Sequence, residues 1–376
     1  MGKKEARERQ NKAKEGFILL SLLSQGRVQL GDWTNLAETD AVDWNDVHQN
    51  VSDLEQTLLI INQDPFVNYF YSWLSKGEGK GHFTLQGIMA QRAAQYFLAK
   101  SVQHYIGNGR PTLTGGGAQI NKRNAFIKAV RKELDGTIYD YVTGIWGGGG
   151  ADENLKTYLA DPASTRKRTH GDEDWQKLIK NMMKFNGELA GLTYYKPEGN
   201  GAEEESDWDV DSYDTRTRVI LTYHHALCGF RADKEFPEEL KGWDVEHIIP
   251  KAIWKASFKG SNEATRVAQN RCHHLANLTL LGASTNRSKS DLPPSKIPTD
   301  GGTHQLAGLK QMEKLLHMSE ADLLTVDGWN KLKTVLIPKR SDYIIRSFSD
   351  DHRKAILDSD FVKYVPAQEQ IAKLVL

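Results

Sequence analysis

Glu246 and His247 stand side by side in the string Gly242-Trp243-Asp244-Val245-Glu246-His247-Ile248-Ile249-Pro250. Further on, Asn277 opens Asn277-Leu278-Thr279-Leu280-Leu281, and Asn286-Arg287-Ser288-Lys289-Ser290-Asp291 follows. These residue types can do chemistry together. An imidazole titrates near neutral pH and can take a proton. Carboxylate and amide oxygens are hard ligands that suit Mg²⁺. Arg287 and Lys289 are cations that can face an anion. The elements that would carry them are short. Val245, Ile248 and Ile249 are β-branched and predict a strand bearing His247 and stopped by Pro250. Residues 278–281 predict a second strand, 282–285 a turn, and Asn286 the start of a short helix.

A single His-x-x-Pro says little in a chain with 12 histidines. The conjunction says more: acid-His-Ile-x-Pro, then Asn-Leu-Thr-Leu-Leu, then Asn-x-x-Lys-Ser. This series resembles the HNH nucleases, whose ββα-metal fold clamps one divalent cation between two strands and a helix. It is most similar to the C-terminal HNH domain of GmrSD-type modification-dependent restriction enzymes and to the HNH module of RNA-guided CRISPR effectors. The likeness covers residues 243–297, with residues 255–270 reading as an insertion between the strands.

The resemblance implies a mechanism and a set of roles. Hydrolysing a phosphodiester needs a base to deprotonate water and a cation to neutralise charge on the leaving oxygen. His247 is the expected general base. Glu246 and the side-chain oxygen of Asn286 are the expected ligands of Mg²⁺ or Mn²⁺, with Asp244, two residues before Glu246 and so on the same strand face, as a reserve ligand. By the family's pattern Asn277 ties the strands together and orients His247, so His247, Asn277 and Asn286 form the catalytic set. Arg287, Lys289 and Lys251 are the expected contacts to a nucleic-acid backbone.

Composition fits that reading without requiring it. Hydrophobic content of 39% and charged content of 26% are ordinary for a globular protein, and the 376 residues suffice for two or three domains. A formal net charge of zero argues against indiscriminate coating of nucleic acid. Charge is uneven, however: residues 243–298 carry eight Lys and Arg against four Asp and Glu. The only cysteines, Cys228 and Cys272, exclude a Cys₄ zinc knuckle and a disulfide framework, and fit a reducing cytoplasm. The string Cys272-His273-His274 invites a zinc site completed by Cys228. On an extended chain, neighbouring residues point opposite ways and seldom share an ion, which weighs against it. The basic stretch 1–14 and apolar stretch 17–23 imitate a secretory signal. Acidic residues within the basic part and the lack of a small-residue cleavage site argue instead for a cytoplasmic protein with no membrane segment.

The expected fold class is mostly α (α+β): a helical N-terminal domain over 1–196, an acidic linker over 197–214, an HNH module over 215–300 and a helical C-terminal extension over 301–376. Helices are predicted over 3–24, 51–74 with a break at Pro65, 84–106, 120–134, 173–192 and 215–227, with residues 40–53 as loop. Aromatic residues such as Phe66 and Phe70 read as core rather than as stacking platforms for bases. The triple glycine 115–117 lacks the preceding strand and the Gly-Lys-Ser/Thr of a P-loop. In the linker, seven carboxylates between Glu203 and Asp214 read as a solvated tether, or as a segment that occupies a basic groove.

The functional expectation is therefore a metal-dependent endonuclease acting on DNA, with a single active site that nicks, in a setting such as phage defence with partner proteins of that system. The alternatives are a catalytically silent nucleic-acid-binding protein on the same fold, or a nuclease toxin. Intact Glu246, His247, Asn277 and Asn286 weigh against the first, and the missing export signal against the second.

Overall fold

The computed structural model describes residues 44–64, 88–147, 171–183, 215–227, 243–248, 250–252, 272–282 and 338–360, with pieces of 66–71 and 154–159 and the single residues Leu19 and Leu23. Helix dominates these residues, in line with the mostly helical expectation. The sheet among them is one antiparallel pair of strands. By packing, the chain divides into two compact units, one built mainly from 1–79, 84–170 and 357–364, the other mainly from 171–356.

In the first unit, helix α1 (Trp44–Ile61) begins inside the acidic stretch that sequence assigned to loop. The reason lies in which face is buried. Asn50, Asp53, Thr57, Ile60 and Ile61 are buried, whereas Val51 and Leu59 are exposed, so half of the inward stripe is polar. Hydrophobic periodicity misses such a helix. The polar face is satisfied: Thr57 Oγ1 donates to Asp53 O at 2.7 Å, and Arg110 donates from Nε and Nη2 to the two Asp53 carboxylate oxygens at 2.9 and 3.0 Å. The expected break before Pro65 is present. Asp64 follows the end of α1, and its Oδ1 accepts from Val67 N at 2.9 Å, capping the helical piece that begins at 66.

Helices α2 (Ile88–Gly107) and α3 (Ala118–Val142) pack together as the centre of this unit. Residues 84–87, including the expected cap, lie outside the described residues. Helix α3 runs eight residues past the expected end at Leu134. Asp135-Gly136 reads locally as a stop, but both are buried in the helix, and packing of Leu134, Ile138, Tyr141 and Val142 carries it onward. Phe66 and Phe70 are core, 5.0 Å apart edge to face, as expected from sequence. Arg131 is fully buried, paired with the fully buried Asp64 and donating from Nη1 to Ser359 O and Oγ.

The second unit holds the strand pair that carries Glu246 and His247. Helix α4 (Asp172–Met182), assigned by sequence to the N-terminal segment, packs here instead. Its Trp175 is fully buried between Tyr223 of α5 (Thr215–Leu227) and Phe348, at ring separations of 5.3 and 5.1 Å. Helix α5 has the expected bounds, and its His224 Nδ1 lies 2.7 Å from Ser347 Oγ. Ser347 spends its hydroxyl proton on Ile344 O, so His224 is the donor of that pair. Residues 338–347 are helical and lead into α6 (Asp350–Leu357), whose Arg353 lies over the Trp175 ring.

Strand β1 (Trp243–His247) pairs with β2 (Leu278–Gly282) in the register Trp243 to Gly282 through His247 to Leu278. Both strands fall where sequence places them, and α5 packs against β2. The helix expected from Asn286 lies outside the described residues.

Candidate functional site

Strand β1 delivers His247 as its last residue, opposite Leu278, the first residue of β2. One further bond closes the pair beyond the ladder: Ile248 N donates to Asn277 O at 2.8 Å. The end of β1 and the turn before β2 are therefore clamped together at Asn277. Its side chain adds a second tie, Nδ2 donating to Cys272 O at 2.8 Å, and its own N–H donates to His274 O at 2.7 Å. Asn277 is fully buried, so these bonds form without competition from water. A 3-10 turn over Leu275–Asn277 completes the corner.

That corner carries His273, whose Nδ1 lies 3.2 Å from Nε2 of His247, with ring centroids 5.2 Å apart. Both histidines are buried. Asn277 bonds the turn at Cys272, and His273 on that turn lies against the His247 imidazole. Sequence did not place His273 beside His247. Its only signal in the sequence is the Cys272-His273-His274 string, which invites a zinc site.

His274 is fixed differently. Its Nε2 sits 2.8 Å from Met183 O and its Nδ1 accepts from Ala276 N at 3.1 Å. A carbonyl can only accept, so the proton is on Nε2 and both nitrogens are committed to the protein. This ties the corner to the end of α4 and removes His274 from any ligand set. Cys228 lies outside the described residues. The objection that neighbouring residues diverge on an extended chain is corrected, because Cys272 is helical and His273 lies in a turn. Ligand atoms of His247, Cys272 and His273 in fact all lie within 4.8 Å of one another.

Among the expected oxygen ligands, Glu246 is half-buried one residue before His247, and Asp244 stands two positions earlier in β1, opposite Leu281. Carboxylates are the hard donors that Mg²⁺ and Mn²⁺ take, whereas the imidazole and thiol cluster beyond His247 is a softer set. Glu246 and Asp244 therefore fit the expected cation by donor type. Lys251, in the helical piece after Pro250, is half-buried. Asn286, Arg287 and Lys289 lie outside the described residues. Among the described residues no helix is long and apolar enough to cross a membrane.

No protein-family model, curated protein or solved structure matches the chain.

Proposed function

We propose that this chain is a metal-dependent endonuclease of the HNH kind, hydrolysing DNA phosphodiester bonds at a single active site centred on His247. The reading rests on one arrangement: an imidazole at the end of β1, one position after Glu246 in the strand, with its Nε2 3.2 Å from His273 on a corner that Asn277 ties down. A neutral imidazole has one protonated nitrogen and one lone pair. If Nε2–H donates to His273 Nδ1, the lone pair is on Nδ1, the nitrogen that takes a proton from water. His273 is thus a positioning residue that selects the tautomer a base requires.

Glu246, Asn286 and, in reserve, Asp244 would hold Mg²⁺ or Mn²⁺, which supplies charge neutralisation at the leaving oxygen. Lys251, Arg287 and Lys289 would bind the phosphate backbone, with a salt dependence that follows from displaced counterions. One site per chain cuts one strand, so the product is a nick.

The rival reading, a nucleic-acid-binding protein on the same fold without turnover, draws on the burial of His247. Supercoiled plasmid incubated with the protein, with Mg²⁺ and with EDTA, separates the two. The nuclease yields nicked circles in Mg²⁺ and none in EDTA, and His247→Ala loses about 10²- to 10⁴-fold in rate. Binding without nicked product, or nicking undiminished in His247→Ala, rejects the proposal.

A further inference from the structure

We propose that His247, Cys272 and His273 form a binding site for one soft divalent cation of the Zn²⁺ class, and that filling it switches the nuclease off. The first half stands on geometry alone, and the second rests on the nuclease reading.

The donor set is the first argument. One thiol and two imidazoles are the ligands that select zinc-like ions over Mg²⁺ or Ca²⁺. The nearest nitrogens of His247 and His273 are 3.2 Å apart. Two nitrogens bound to one tetrahedral zinc, each at about 2.0–2.1 Å, are separated by about 3.3 Å. The imidazole pair is therefore already at the spacing that an ion imposes. All three ligand atoms lie within 4.8 Å, so the turn has to tighten by no more than about 1.5 Å to bring in the sulfur.

Chain geometry is the second argument. Cys272 and His273 are adjacent, yet the helical turn at this point lets both face His247, which the extended chain of β2 would not. The turn is held by Asn277 Nδ2 on Cys272 O and by His274 on Met183 O. His274, with both nitrogens committed, anchors the turn and is not a ligand. Cys272 and His273, at 0% and 1% exposure, are too buried for a phosphodiester to reach an ion there, and the three protein ligands leave the fourth tetrahedral position to a water.

The proton balance links the site to catalysis. In the empty site one ring donates its N–H to the other. An ion needs a lone pair on both facing nitrogens, so the donating ring moves its proton to its other nitrogen, and the thiol loses its proton to solvent. Once Nε2 of His247 is bound to the ion, the ring's proton is on Nδ1. That nitrogen then has no lone pair with which to take a proton from water. Ion binding and base catalysis compete for one imidazole.

The test uses the full-length, reduced and chelator-stripped chain, with Co²⁺ as the spectroscopic probe. One equivalent of Co²⁺ should give a thiolate charge-transfer band and the visible bands of a tetrahedral ion, both lost when Zn²⁺ displaces it. Cys272→Ser should lose the charge-transfer band, and Cys228→Ser should keep it. No band, or a band that depends on Cys228 and not on Cys272, overturns the site. The switch is read separately, as the ratio of nicking in Mg²⁺ with and without one equivalent of Zn²⁺, each protein against itself. The unsubstituted chain should lose about 10²-fold or more, as for loss of a general base, and Cys272→Ser should lose far less. A cobalt band through Cys272 with undiminished nicking overturns the switch alone. A cobalt band in a chain that never nicks leaves the site standing and rejects the nuclease reading on which the switch depends.

Discussion

His247 Nε2 and His273 Nδ1 lie 3.2 Å apart although the two residues stand 26 positions apart in the chain. That contact joins the last residue of one strand to the turn that begins the other. It requires one of the two rings to donate an N–H to the other, so the tautomer of His247 is coupled to that of His273.

A first prediction follows for His273. His273→Asn keeps an acceptor oxygen that can receive Nε2–H of His247, whereas His273→Leu keeps similar bulk without one. Nicking in Mg²⁺ should fall mainly in kcat and more steeply for Leu than for Asn, by about tenfold or more. Equal losses in both variants, together with equal losses in thermal stability, would reduce His273 to a packing residue.

Asn277 should matter for stability before it matters for chemistry. Asn277→Leu removes the donor to Cys272 O in a fully buried corner and strands that carbonyl. The expected cost is about 1–3 kcal/mol in urea unfolding. Asn277→Asp, which replaces the donor with an acceptor against a carbonyl, should cost at least as much.

In the first unit, the buried pair of Arg131 and Asp64 gives a sharper stability prediction. Asp64→Ala removes the carboxylate that Arg131 is paired with and uncaps the helical piece at 66. Loss of one partner from such a pair costs about 3–5 kcal/mol. Asp64→Asn keeps a side-chain oxygen for the cap and should lie between Ala and the unsubstituted chain when denaturation midpoints are compared.

Glu133 makes the first unit sensitive to acid. Burial pushes its carboxyl upward, but hydrogen bonds from His104 and Tyr96 and the charges of His104 and Lys100 outweigh burial, and the net shift is downward. A folded value below the unfolded one means the carboxylate stabilises the fold above the ordinary value of 4.5. That contribution is lost as pH falls through the lowered folded value. Glu133→Gln should therefore destabilise the unit at neutral pH and flatten the fall in melting temperature on acidification. An unchanged slope would assign the acid sensitivity elsewhere.

What sequence determined by itself was local. The β-branched run around Val245 and the Leu-rich run after Asn277 set two strands, and the apolar face of residues 215–227 set α5, because side-chain periodicity and turn residues act over a few positions. Sequence also placed the acid and the imidazole next to each other. Tertiary structure alone decided three things. Helix α1 starts at Trp44 because its buried stripe of Asn50, Asp53 and Thr57 is polar, and Asp53 is answered by Arg110, 57 residues away. Helix α4 belongs with the strand pair because Trp175 finds Tyr223 and Phe348. His273 meets His247 because the register of the strands and the bonds of Asn277 fold the turn back over the end of β1. Each of these is a contact between distant segments, whose free energy exists only once the chain has closed the loop between them, so no local pattern records it.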